Sequence, residues 1–71
     1  MEKEYFAYRF GFVAVKKGFA TPEQISQAFE VQFEENVSAG THRRIGEILV
    51  DMGVMSSSQF NEVLEEMSKK H

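Results

Sequence analysis

A chain of 71 residues with a net charge of −3 and no cysteine holds one small domain without disulfides or thiolate metal sites. A mildly acidic surface disfavours sequence-independent binding to DNA or RNA, where phosphate neutralisation supplies the affinity. No apolar run approaches the roughly 20 residues of a membrane span, and the opening "MEKEYFAYRF" carries glutamates where a signal peptide has its apolar centre, so the protein reads as soluble and cytoplasmic.

The first segment holds a local conflict. In "FAYRFGF", Phe6, Tyr8, Phe10 and Phe12 recur at every second place, the period of a strand. The equivalent stretch further on, "RRIGEILV", has helical periodicity, and helix is the expectation for both. Five aromatics, Tyr5, Phe6, Tyr8, Phe10 and Phe12, cannot all lie on the single inward stripe of a helix. Some either face solvent, a partner or a second copy, or pack under neighbouring turns. Tyr5, Phe6, Tyr8 and Phe12 are therefore candidate interface residues.

Gly18 is placed to end this helix in a left-handed conformation. Thr21 is a candidate N-cap of the second helix, with Pro22 at the first helical position and Gln24 completing a capping box. Ile25, Ala28, Phe29 and Gln32 share its inward face, and the helix is expected to run through Phe33 to about Val37. The segment "SAGT", 38–41, reads as the one real linker. Thr41 is then a candidate cap for a third helix running to Met52, with Gly53 at its end. Ser56 and Gln59 form a second capping box, Met55 and Phe60 are placed for a hydrophobic staple, and Phe60, Val63, Leu64 and Met67 make the inward stripe of the last helix.

The chain repeats itself. Laid with Arg9 on Arg44, "RFGFVAVKKGFATPEQISQAFEVQ" (9–32) matches "RIGEILVDMGVMSSSQFNEVLEEM" (44–67) without a gap. Arg9, Gly11, Val15, Gly18, Gln24 and Glu30 meet identical residues, and most other agreements are apolar on apolar. Self-similarity of this kind marks two copies of one supersecondary unit. The single domain, 1–71, thus divides into copy one (9–32), a connecting stretch (33–43) and copy two (44–67). The expected fold is all-α, two tandem helix hairpins forming a small four-helix bundle.

Glycine inside a helix costs about 1 kcal/mol against alanine, so Gly11 and Gly46 call for a close approach, by a neighbouring helix or by a ligand. Gln32 stands on an apolar stripe where copy two has Met67. Its amide needs a partner, within the protein, in solvent or in a ligand. Arg9 and Arg44 either pair with carboxylates such as Glu47 or Asp51 or meet a ligand. The basic pairs Lys16–Lys17, Arg43–Arg44 and Lys69–Lys70 suit solvated helix ends or a small anion.

The repeated pattern of Arg–apolar–Gly, paired apolars, a second Gly, a capped turn and a helix closing on Gln resembles the bacterial MshE-type N-terminal domain. That domain belongs to the assembly ATPases of type II secretion and type IV pili. The resemblance covers 9–32 and 44–67, with Met67 replacing the final Gln in copy two. It implies tandem motifs that bind cyclic di-GMP, and it carries candidate ligand-binding roles to Arg9, Phe10, Gly11, Gly18 and Gln32 in copy one and Arg44, Ile45, Gly46 and Gly53 in copy two. In such a site arginine can address guanine bidentately or pair with phosphate, and glycine admits close backbone approach.

Enzymatic chemistry finds no support in the sequence. The only histidines are His42 and His71, the glutamates fall on solvent faces, and no nucleophile or phosphate-loop motif is present. The expectation is a non-enzymatic binding or adaptor domain without a cofactor. Its candidate ligand is cyclic di-GMP. The alternative is a protein-interaction module, a homodimer or the partner of a secretion-related protein, with no nucleotide, no nucleic acid polymer and no membrane.

Overall fold

The structure, a computed structural model, describes residues 2–40 and 43–69, with side chains from residue 6 onward. Four helices follow in order: α1 (Glu2–Lys16), α2 (Pro22–Ser38), α3 (Ile45–Asp51) and α4 (Ser57–Ser68). They form two helix hairpins packed as a small all-α bundle, as the duplication implies. The alternating aromatics of the first segment lie on a helix, so the repeat and not the period of two is the informative signal there.

Each hairpin turn is built from the same local chemistry. Gly18 and Gly53 have φ of 80° and 79°, the left-handed region that side chains resist. Around them the N–H of Gly18 donates to Val15 C=O at 3.0 Å and that of Phe19 to Ala14 C=O at 2.9 Å. Gly53 to Val50 and Val54 to Leu49 repeat the pair, both at 3.0 Å. These paired bonds close a Schellman motif at the end of each first helix. Thr21 and Ser56 then cap α2 and α4. Each hydroxyl accepts from the glutamine N–H three residues on, at 3.1 Å. Gln24 and Gln59 return their side-chain oxygens to the cap N–H at 2.9 and 3.0 Å. Both capping boxes anticipated from sequence are therefore formed.

The start of α3 differs from expectation. Thr41 lies outside the described residues, and residues 43 and 44 are not helical. The N-cap is Arg44, with φ −76° and ψ 155°. It supports half a capping box. Glu47 Oε1 accepts from the Arg44 N–H at 3.1 Å, but a guanidinium has no acceptor to offer in return. The described residues between α2 and α3, 39–40 and 43–44, are not helical. Arg43, just before the helix, is held by a tertiary anchor described below.

The two hairpins interlock instead of standing side by side. α1 packs mainly on α4 and α3, and α2 on α3, while the α1–α2 contact within the first hairpin is the sparsest. Exchanging the copies maps the α1–α4 contact onto the α3–α2 contact, so the bundle has a pseudo-twofold relation with α1–α3 at its centre. Phe10, Ile45, Ile48, Leu49 and Val63 are fully enclosed and Ala14 and Ala28 lie beside them. Enclosing a side chain such as Phe, Leu or Ile contributes about 1.5–3 kcal/mol, so these five carry much of the stability. The inward stripes read from sequence hold: Ile25 and Ala28 are buried on α2 and Val63 on α4, with Phe29, Phe60, Leu64 and Met67 packed against them.

Candidate functional site

The residues singled out by the repeat separate into an enclosed set and a rim. Phe10 and Ile45 have no exposed surface, and Gly11 and Gly46 are buried. The two glycines owe their place to the protein's own side chains. A Cβ on Gly11 would stand 2.9 Å from Ile25 Cγ2. One on Gly46 would intrude on the Phe60 ring and come within 2.8 Å of Phe10 Cζ. Ile25 and Phe60 are repeat equivalents, so in each copy the glycine admits the first large apolar residue of the following helix. The close approach is intramolecular on both sides.

The rim comprises Arg9, Gly18, Gln32, Arg44 and Gly53. Gly18 and Gly53 are exposed at the turns, with open space around their α-carbons. Arg9 is half-buried and held by an interaction of its own. Arg44 is exposed, its guanidinium carbon 5.5 Å from the centroid of the Phe6 ring, within cation–π range. Phe6 in turn lies 6.3 Å from Phe10, and Phe10 5.5 Å from Phe60, ring centre to ring centre. An aromatic ladder thus runs from the core to the surface under Arg44.

Gln32 and the linker meet at the α2–α3 junction. Gln32 Nε2 donates to the backbone carbonyl of Arg43 at 3.0 Å, so the amide that interrupts an apolar stripe has a partner within the protein. The Arg43 side chain forks onto Glu35, Nε to Oε1 at 3.1 Å and Nη2 to Oε2 at 2.7 Å, and its Nη1 reaches Asp51 Oδ2 at 2.8 Å. Bidentate guanidinium–carboxylate geometry is the strongest form of such a pair. The hydrogen bond from Arg43 holds Glu35 below the ordinary carboxylate value of 4.5, against partial desolvation. The same bonds keep Arg43 more firmly protonated than a free arginine. Arg43 therefore ties the linker to the C-terminal half of α2 and the end of α3. The sequence offered Glu47 or Asp51 as a carboxylate partner for Arg9 or Arg44, and the structure pairs Asp51 with Arg43.

Of the candidate interface residues, Tyr8 and Phe12 are exposed, at 69% and 62%. Phe6 is half-buried in the aromatic ladder, and the side chain of Tyr5 lies outside those described. Sequence reasoning missed a second exposed pair, Phe33 at 69% and Val37 at 70% on α2. Its signal was partial: Val37 falls off the inward stripe set by Ile25, Ala28 and Phe29, whereas Phe33, four residues from Phe29 and eight from Ile25, reads as a continuation of it. A shallow, open depression borders Pro22, Glu23, Ser26, Gln27 and Glu30 on the outer face of α2, and none of the rim residues lines it. Among the described residues no cluster of three His, Asp or Glu is placed to hold a metal ion, and no helix is long and apolar enough to cross a membrane.

Compared with known protein families, with curated proteins and with solved structures, the chain matches none.

Proposed function

We propose that the chain is a small non-enzymatic binding domain that docks another protein through the outer face of α1. The observation that carries this reading is the pair Tyr8 and Phe12, one helical turn apart and about two-thirds exposed. Neither contributes appreciably to the domain's own core. Large aromatics are enriched at protein interfaces and dominate their energetics. Two classes of partner suit this face: a second copy of the chain, or, from the resemblance to the MshE-type N-terminal domain, a component of a secretion or pilus assembly machine. A photo-crosslinking phenylalanine derivative at position 12, compared with the same group at the exposed position 62 on α4, tests the reading in cells. Crosslinks specific to position 12, and lost on Tyr8→Ser, support it. Equal or absent crosslinking at the two positions overturns it.

A second reading, cyclic di-GMP binding, has one feature in its favour. Gln32 meets the Arg43 backbone at the α2–α3 junction, and the neighbouring Arg44 holds an exposed guanidinium over the Phe6 ring of α1. In that reading Arg9, Gln32 and Arg44 address the ligand from the rim, and Phe10, Gly11, Ile45 and Gly46 form only its enclosed support. Calorimetric titration with cyclic di-GMP, with GMP and ATP as controls, decides it. Selective micromolar binding that weakens in folded Arg9→Ala and Gln32→Leu variants supports a nucleotide receptor. A flat trace removes the nucleotide and leaves the protein-docking reading standing.

A further inference from the structure

The first hairpin leaves two apolar patches uncovered, and the two match each other. On α1, Tyr8, Phe12 and Lys16 succeed one another at four-residue intervals on one side of the helix. Lys16 Nζ stands 5.9 Å from the Phe12 ring centre, a cation at the end of an aromatic stripe. On the outer side of α2, the exposed Phe33 and Val37 are also four residues apart, with the exposed Glu30 and Glu34 beside them. Four residues is about 6 Å along a helix axis, so the two apolar pairs have the same spacing.

We propose that a second copy of this chain covers these patches, α1 of one molecule lying antiparallel on α2 of the next. The proposal rests on the reading of α1 as a docking face and names what docks there. Charge selects both the occupant and the direction. With Phe12 seated on Phe33, an antiparallel register places Tyr8 on Val37 and brings Lys16 alongside Glu30. A parallel register also pairs the apolar residues, but it carries Lys16 past Ser38, where α2 has ended. Opposite charges flanking an apolar centre steer encounter and fix register, and here one sequence holds both halves of that arrangement. The equivalent positions of the second hairpin hold Arg43, Glu47 and Ser68 in place of Tyr8, Phe12 and Phe33, so the contact is specific to the first hairpin.

Sedimentation of the intact chain over a wide concentration range tests the proposal, with Lys16→Glu and Glu30→Lys as variants. Both sites are exposed, and circular dichroism checks that each variant folds. The parent is expected to gain mass with concentration. Each variant alone should associate about tenfold more weakly, since like charges then meet. An equimolar mixture should recover dimers, because α1 carrying Lys16→Glu meets α2 carrying Glu30→Lys. A parent that remains monomeric at millimolar concentration overturns the proposal, as does a mixture that associates no better than its components. If the parent is monomeric while a crosslinker at position 12 captures a different protein, the second copy is excluded and the docking face survives. If the parent is monomeric and position 12 captures nothing, both readings fall.

Discussion

Copy one and copy two share a backbone device and divide over everything outside it. Their turns agree hydrogen bond for hydrogen bond, from the Schellman pair through the capping box. Their core positions agree in burial but not in size: Ala14, Ala20 and Ala28 in copy one stand where copy two has Leu49, Met55 and Val63. Copy one places its bulk in Phe10, which crosses the pseudo-twofold to meet Phe60 of copy two. On the surface the copies diverge, with exposed aromatics at Tyr8 and Phe12 against Arg43 and Glu47. The repeated residues build the scaffold, and the departures from the repeat fall on the surface, where they form the proposed docking face. Nothing in the shared turn requires Phe12 to be apolar, since Glu47 serves the same place in α3.

The sharpest way to break this comparison is to alter the glycine that both copies keep. Gly46→Ala pushes a methyl into two aromatic rings, Phe60 and Phe10. Overpacking of this kind costs about 3 kcal/mol. Gly11→Ala meets a single methyl of Ile25 at 2.9 Å and gains about 1 kcal/mol of helix propensity. Its net cost is therefore expected to be about 1 kcal/mol. Urea unfolding of the two variants measures the difference. Equal costs would mean that the larger side chain of copy two is accommodated by movement elsewhere, and that the asymmetry of the core has no energetic consequence.

What the sequence made legible follows the same division. The turns, caps and inward stripes depend on residues three or four apart, so Gly18, Thr21 with Gln24, and Ser56 with Gln59 were readable without a structure. The start of α3 was not. Thr41 satisfies the local rules for a cap, but the chain beside it is held by Glu35 and Asp51, each eight residues from Arg43. No local pattern reports that pairing. The enclosed glycines were legible as sites of close approach, while the identity of what approaches, Ile25 and Phe60, needed the packing. Gln32 was legible as a polar group in want of a partner. That its partner is the carbonyl of Arg43 depends on the path of the linker.

A smaller effect tests whether the two turns are equivalent in energy as well as in geometry. Thr21→Ala and Ser56→Ala each remove one hydroxyl acceptor from a helix N-terminus, at about 1 kcal/mol each. Because the bonds lost have the same length, 3.1 Å in both, the two losses should agree within error in urea unfolding. A clear excess at Thr21 would show that α2, which also carries Pro22 at its first position and a longer helix behind it, depends more on its cap than α4 does.

The least of the effects is electrostatic and belongs to copy two's junction alone. At the place where copy one has Tyr8, copy two has Arg43, and its fork onto Glu35 lowers the carboxyl's pKa in the folded state below 4.5. A carboxylate whose pKa falls on folding adds stability above its unfolded value, and that contribution fades as pH drops through the folded value. Acidification from pH 5 downward should therefore weaken the parent more steeply than Glu35→Gln, which retains shape but not charge. Both side chains are about one-third exposed, so high salt should shrink the difference. Amide exchange locates the effect. In acid the parent should lose protection first at the N–H of Ile48, which bonds Arg44 C=O at 3.2 Å, before the N–H of Phe19 in the first turn. Simultaneous loss at both would mean that the linker anchor is part of the global fold, and that copy two has no separate hinge for Arg43 to hold.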